Sequence, residues 1–233
     1  MFLVTVSWVV FISVGVASGK KYSRTSGGLT EIPEDIPNDT KVIDLSKNAI
    51  SHVRSEDLLG LGNLYKFNLE QNELTEFPDL SSVAGTLTQL YLYSNQISSV
   101  PAARLNILTK LEWLYLYNNK ISFLPDVGGT WLPQANGILD WLDVSNNELT
   151  TLPVLYGYTE GLKVSADGNH VVCDERLAWL LGNKVYLLSS PTCSAPESLI
   201  GKELSDLSYT DLTSANSKCG FVHSPVKYFI LTS

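Results

Sequence analysis

A nine-residue pattern, Leu-x-x-Leu-x-Leu-x-x-Asn, recurs six times along this chain of 233 residues, with other residues replacing some of the leucines. Each copy ends in an asparagine, and the six are Asn48, Asn72, Asn95, Asn119, Asn147 and Asn169. Successive asparagines are therefore 24, 23, 24, 28 and 22 residues apart. A unit this short cannot bury its apolar face alone, so neighbouring copies must stack to form one continuous core.

This period and spacing are the signature of leucine-rich repeats. Such repeats stack into a curved α/β solenoid whose concave side is a parallel sheet and often a binding surface. We therefore predict a leucine-rich repeat horseshoe of about six repeats over residues 40–170. The repeat asparagines follow each strand, where buried backbone groups need partners, so we interpret them as structural.

The first nineteen residues carry no charged side chain, and small residues at Ala17 and Gly19 directly precede Lys20 and Lys21. This pattern is typical of a cleaved secretory signal peptide over residues 1–19, and its length also allows an uncleaved anchor. Cleavage leaves 233 − 19 = 214 residues. No later stretch is apolar for long enough to span a bilayer, so we expect a secreted, extracellular protein with no membrane span after signal removal.

The segment that follows the repeats resembles the C-terminal cap of Slit and related secreted or cell-surface leucine-rich repeat proteins. The matching residues are Asn169, Cys173, Asp174, Trp179, Leu180, Cys193, Leu199, Gly201, Leu204, Asp206, Leu207, Asp211, Leu212 and Cys219. That cap has four cysteines, paired first to third and second to fourth, but Glu175 occupies the second position here. The resemblance therefore implies a Cys173–Cys193 disulfide and leaves Cys219 without its partner.

Three fates are open to Cys219 in an oxidising compartment. It forms a bridge to another chain, is buried against the cap, or is an inert remnant of a lost pair. The resemblance divides the mature chain into a C-terminal cysteine cap over residues 171–219 and a tail over 220–233. Asp174 is expected to cap a short helix there, with Leu177, Leu180 and Leu181 on one apolar face.

Residues 20–39 resemble the end of an N-terminal repeat cap, but without the cysteines that such caps carry. Their polar, glycine- and serine-rich beginning, residues 20–30, predicts a flexible start. The sequon Asn38-Asp39-Thr40 predicts N-glycosylation at Asn38 in a turn-rich, exposed segment.

The formal net charge is −8, and no Lys/Arg cluster exceeds a pair. This composition argues against binding to nucleic acid or to an anionic membrane surface. It fits either a cationic or neutral partner, or a charge excess that serves solubility. No cofactor, metal or catalytic site is predicted, because His170 and Cys173 are too few ligands for zinc and no acid/base pair is recognisable.

Alternation along each strand directs repeat positions three, five and seven away from the core, onto the concave face. In the third to fifth repeats these positions hold six aromatic residues, which we call the aromatic surface: Tyr91, Tyr93, Trp113, Tyr115, Tyr117 and Trp141. Six carboxylates form its rim: Asp44, Glu70, Glu112, Asp140, Asp143 and Asp167. Glu112 and Asp143 are included with the six aromatic residues as candidate partner-binding residues.

Aromatic side chains suit β-strands, so this cluster can simply shield the sheet. Large exposed apolar patches are nevertheless uncommon on monomers, and Tyr and Trp dominate binding hot spots. We therefore predict a secreted, non-enzymatic recognition module that binds an extracellular protein or peptide. The alternative is a structural or accessory subunit of an extracellular complex or matrix, with oligomers possible through Cys219.

Overall fold

The computed structural model describes residues 21–125, 139–153, 161–182, 186–189 and 191–214. The predicted signal peptide at 1–19, the tail at 220–233 and Cys219 lie outside the described residues.

Eight short strands form one parallel sheet in chain order. They are β1 (Lys21–Ser23), β2 (Val42–Asp44), β3 (Lys66–Asn68), β4 (Gln89–Tyr91), β5 (Trp113–Tyr115), β6 (Trp141–Asp143), β7 (Lys163–Ser165) and β8 (Tyr186–Leu187). Strands β2 to β7 are those of the six repeats, at equivalent positions. The predicted leucine-rich repeat solenoid is therefore confirmed.

Helical segments are short, as the length of the connections requires. Between the repeat strands lie 3-10 helices at Ser55–Leu58 and Ser81–Val83, and helix α1 at Ala102–Asn106. After β7 come 3-10 helices at Glu175–Gly182, Glu197–Leu199 and Leu204–Asp206, and helix α2 at Tyr209–Ser214.

The core is a column of apolar side chains from repeat positions four and six. Leu114 and Leu116 are fully buried, as the predicted register requires. The equivalent residues of the other described repeats are also buried, so each repeat covers the core of the next one. Side chains at positions three, five and seven are thereby left for the concave face.

The six asparagines form a hydrogen-bonded ladder, which supports their structural interpretation. Asn119 Oδ1 accepts a hydrogen bond from the backbone N–H of Ile97 at 3.0 Å. Its Nδ2 donates to the carbonyl oxygens of Leu92 at 3.0 Å and Leu116 at 2.9 Å. Each rung thus joins two successive turns of the solenoid through buried backbone groups.

The expectation of a flexible start is wrong, because β1 extends the sheet by one strand. Tyr22 is buried, and its hydroxyl donates to Asp35 Oδ1 at 2.7 Å. Arg24 pairs with the other oxygen of Asp35 at 2.5 Å, and its guanidinium carbon lies 5.4 Å from the centroid of the Tyr22 ring. This polar clamp holds β1 where related caps use cysteines.

At the other end, the disulfide joins Cys173 to Cys193, as the resemblance implied, with their Cα atoms 5.5 Å apart. A Slit-like cap as a whole stays a prediction. The expected helix is a 3-10 helix, in which residues three apart share a face. Leu177 is therefore buried and Leu180 packs on the core, whereas Leu181 is 42% exposed, so its placement on the apolar face was wrong.

Candidate functional site

Strand register brings the aromatic surface together on β4, β5 and β6. Trp113 pairs with Gln89 on one side and with Trp141 on the other. Tyr115 pairs with Tyr91 and with Asp143 in the same way. Tyr93 and Tyr117 follow two residues after the ends of β4 and β5, so all six predicted aromatic residues lie on one face.

The tyrosines are arranged in two parallel stacks. The rings of Tyr91 and Tyr115 have centroids 4.8 Å apart and planes 14° apart. Those of Tyr93 and Tyr117 are 4.3 Å and 10° apart. Trp141 continues the first stack, because its ring centroid is 6.2 Å from that of Tyr115 at an angle of 35°.

This stacking turns the ring faces of each pair towards each other. As a result, the four tyrosines and Trp141 are half-buried, and Trp113 is 37% exposed. Stacked pairs of this kind add about 0.5–1.5 kcal/mol beyond area burial. The surface is therefore a preorganised ridge rather than a set of independent rings.

Lys66 occupies a position that the sequence did not reveal. Its Nζ lies 4.5 Å from the centroid of the Tyr91 ring and 3.3 Å from the Tyr91 hydroxyl oxygen. The outer face of Tyr91 thus already has a cation of this chain against it.

The candidate carboxylates differ in their surroundings. Asp143 Oδ1 accepts hydrogen bonds from the backbone N–H of Ser145 at 3.0 Å and from the Ser145 hydroxyl at 2.6 Å. Asp44, the last residue of β2, makes the same pair of bonds with Ser46. Glu112 is half-buried directly before β5, where its backbone oxygen accepts from Trp141 N–H.

Burial raises the pKa of all four tyrosines of the aromatic surface. For Tyr93, a hydrogen bond with the Glu70 carboxylate and its charge raise the pKa further. For Tyr117, a hydrogen bond with Tyr93 lowers the pKa in part, and the carboxylates of Glu70 and Asp143 raise it further. The hydroxyl groups are therefore protonated at physiological pH. Tyr91 donates its proton to Gln89 Oε1 at 3.3 Å and Tyr93 bonds Glu70, so Tyr115 and Tyr117 are the tyrosines that can donate to a partner.

Among the described residues the indole N–H of Trp141 is an unpaired buried donor, which the sequence alone could not predict. Its indole nitrogen Nε1 is buried, and no hydrogen-bond acceptor faces it among the described residues. A buried donor without a partner is costly, and it belongs to a residue in contact with the tyrosine stack.

Asn38, the predicted glycosylation site, is exposed at the N-terminal end of the solenoid. Gly60 lies directly beneath its side chain: a Cβ atom there would be 2.9 Å from Asn38 Oδ1. Gly60 also has a positive φ of 84°, so both space and backbone favour glycine. Asn38, Arg54 and Leu59 line an open cavity of about 380 Å³. No residue of the aromatic surface lines this cavity.

Other kinds of site find no support in the described part of the chain. Within it, no group of three or more His, Cys, Asp or Glu residues is placed to hold a metal ion. No helix among the described ranges has the length and apolar character needed to cross a bilayer.

Known proteins share this repeat pattern and fold. A family profile described as Leucine Rich Repeat matches residues 110–130. The human leucine-rich repeats and immunoglobulin-like domains protein 1 is 33% identical over 138 residues, which are 59% of this chain and 12% of that protein. The chain spans no more than 12% of the length of the first relatives it matches.

Solved structures show the same architecture. Toll in its complex with Spatzle from Drosophila has a TM-score of 0.63 at 21% identity, over 83% of this chain and 29% of that one. Human trophoblast glycoprotein has a TM-score of 0.56 at 21% identity, over 83% of this chain and 95% of that one. At these identities the structural likeness establishes the fold alone, so the function has to be inferred from the site.

Proposed function

We propose that this chain is a secreted, non-enzymatic recognition module that binds an extracellular protein or peptide through the aromatic surface. The observation that carries this proposal is the contact of Tyr and Trp side chains across β4, β5 and β6 on the concave face. Glu112 and Asp143 flank these side chains as candidate contacts for the same partner.

Preorganisation supports a binding role. The stacked tyrosines lose little side-chain freedom when a partner docks, because neighbouring rings already fix them. Their hydroxyl tips and edges offer hydrogen bonds together with apolar area, the combination found in binding hot spots. A broad ridge of this kind matches another protein surface or an extended peptide better than a small molecule, which prefers a concave pocket.

Charge supports a partner that is neutral or basic and disfavours nucleic acid. The chain has a formal net charge of −8, and Asp143 of the rim lies beside Tyr115 in the sheet register. Electrostatic complementarity of this type speeds association with basic partners and rejects acidic ones.

Two observations support an extracellular location. The Cys173–Cys193 disulfide is of a kind that persists in oxidising compartments. The similar solved structures include one described as a glycoprotein and one described as a glycosylated form. We extend these properties to this chain as a proposal, together with cleavage of residues 1–19 and glycosylation of Asn38.

The test is affinity capture from extracellular fluid with the wild-type protein and two variants, Trp113→Ala and Tyr115→Ala, as bait. Loss of a hot-spot aromatic residue should weaken partner binding by about 2 kcal/mol or more. Tyr186→Ala is the matched control, since Tyr186 is an exposed tyrosine of the same sheet on β8, outside the aromatic surface.

Binding by Trp113→Ala and Tyr115→Ala that stays within a factor of about two of wild type contradicts the proposal. If the captured partner instead migrates with this chain as one band only on a non-reducing gel, the structural role through Cys219 replaces it.

A further inference from the structure

Two stacked tyrosine pairs have four outer ring faces, and three of them are occupied or opposed by this chain. Lys66 covers the outer face of Tyr91, and Trp141 lies against Tyr115. Glu70 lies on the β3 side of Tyr93, and its carboxylate accepts a hydrogen bond from the Tyr93 hydroxyl. The outer face of Tyr117 is the fourth.

The neighbour of Tyr117 on that side is a small residue. Asn118 N–H donates to the carbonyl oxygen of Ser145, which places Ser145 beside Tyr117 in the next repeat. Asn146 N–H donates in turn to Asp167, which places Asp167 one repeat further along the same row. Among the described residues the row of rings therefore stops at Ser145, whose short side chain leaves a gap between Tyr117 and Asp167.

The width of this gap suits one planar group. Adjacent strands are about 4.8 Å apart, so Tyr117 and Asp167 are separated by about 10 Å at the backbone. A flat group stacked on Tyr117 over Ser145 fills that space, much as Tyr117 itself fills the space beside Tyr93. We call this gap the Tyr117 slot; its walls are Tyr117 and Asp167 and its floor is Ser145.

The slot is negatively charged. Asp143 lies on β6 two residues before Ser145, and its charge reaches the Tyr117 hydroxyl. Ser145 binds Asp143 Oδ1, and no described residue donates a hydrogen bond to Oδ2. Lys163 on β7 pairs with Trp141 at repeat position three, towards the other end of the strands from the slot.

We propose that the Tyr117 slot receives an arginine side chain of the protein or peptide that docks on the aromatic surface. This inference rests on the proposed function and names the partner chemistry that the site selects. A guanidinium is planar, stacks on aromatic rings and forms paired hydrogen bonds with carboxylates. The slot offers a ring face on one side and the Asp143 and Asp167 carboxylates around it, which lysine matches less well because its ammonium is not planar.

The probe is N-acetyl-tetra-arginine amide, compared with the tetra-citrulline peptide, which keeps the planar shape and removes the charge. We expect the arginine peptide to bind wild-type protein about tenfold more tightly than the citrulline peptide, because the bonds to carboxylate are charge-assisted. The tetra-lysine peptide should bind less tightly than the arginine peptide. Isothermal titration calorimetry at low salt measures all three.

Three variants localise the binding. Ser145→Tyr fills the slot by adding a third ring to the stack, and Asp143→Asn removes the charge. Asn at this position keeps the turn, because Asn68 Oδ1 accepts from Glu70 N–H at 2.9 Å in the equivalent place on β3. Asp79→Asn is the matched control, since Asp79 Oδ1 also accepts a hydrogen bond from the N–H of the serine two residues later, Ser81 at 3.1 Å, in the connection after β3 and outside the carboxylate rim.

We expect Ser145→Tyr and Asp143→Asn each to weaken arginine-peptide binding about tenfold, and Asp79→Asn to change it less than about twofold. Equal affinity of wild type for arginine and citrulline peptides, or unchanged affinity in both slot variants, overturns the inference. Melting temperatures and the circular dichroism of each variant verify that the fold is intact.

Failure of the two proposals is distinguishable. Suppose that Trp113→Ala abolishes capture of the natural partner, while the slot variants change neither partner capture nor arginine-peptide affinity. The recognition module then stands and the slot does not. If the slot variants weaken peptide binding while Trp113→Ala and Tyr115→Ala leave partner capture intact, the slot binds arginine, but the captured partner does not dock on the aromatic surface and the proposed function fails.

Discussion

Replacing one asparagine of the ladder by alanine should reduce the free energy of unfolding strongly, because the side chain serves several backbone groups at once. In Asn119→Ala, the N–H of Ile97 loses the acceptor it has at 3.0 Å in a fully buried position. The carbonyl oxygens of Leu92 and Leu116 each lose one bond but keep another, from Asn95 and Asn147 respectively. The variant therefore leaves one buried donor unsatisfied and weakens two acceptors.

The magnitude follows from these three groups. An unsatisfied buried N–H costs about 1–3 kcal/mol, and each lost secondary bond about 0.5–1.5 kcal/mol. The free energy of unfolding should fall by about 4 kcal/mol, taking the middle of each range. Asn119→Asp should be worse at neutral pH, because its second oxygen would face those two carbonyl oxygens at the positions where Nδ2 now donates.

Asn48→Ala is the internal comparison. Its Oδ1 accepts from the N–H groups of Gly27 and Leu29, at the exposed first turn, where water can replace the side chain. Urea unfolding followed by tryptophan fluorescence should therefore give a clearly smaller loss for Asn48→Ala than for Asn119→Ala. A loss of less than about 1 kcal/mol for Asn119→Ala, or equal losses in both variants, refutes the reasoning.

Three further outcomes are expected. Leu116→Ala should reduce the free energy of unfolding by about 2–5 kcal/mol, because Leu116 is fully buried, and an unchanged melting temperature would contradict its inward register. Asn38→Gln should increase the gel mobility of the secreted protein by removing a glycan, whereas equal mobility with normal secretion would mean an unused site. Peptide mass spectrometry should find Cys219 unbonded to Cys173 or Cys193, either linked to another chain or as a thiol, and a Cys219–Cys173 bridge would disprove the pairing.

The repeat spacing was sufficient to predict strand position and register. Alternation at period two separates Leu114 and Leu116 from Trp113 and Tyr115 without any tertiary information, and the structure places them on opposite faces. The Cys173–Cys193 pairing was likewise available from the resemblance of the cap. These features depend on local spacing, which the sequence contains directly.

Features that depend on rotamers or on distant contacts were not accessible in that way. Stacking of Tyr91 on Tyr115 follows from side-chain torsions, and the place of Lys66 over Tyr91 joins residues 25 apart. Strand β1 lacks the leucine pattern, and its place in the sheet depends on the contact of Tyr22 with Asp35. Leu181 was misplaced because a 3-10 helix has a different period from the α-helix that was expected.

The polar clamp on β1 has a consequence for how the molecule comes apart. The N-terminal turn is held by Tyr22, Arg24 and Asp35, and the carboxylate of Asp35 is 59% exposed, so dissolved ions screen that contact. The C-terminal turn is held by a covalent bond that ions do not affect and that thiols cleave. The contacts that hold the two ends therefore respond to different treatments: concentrated salt weakens the polar contact at the first coil and leaves the disulfide intact, and a reductant acts on the disulfide of the last coil and leaves the polar contact intact.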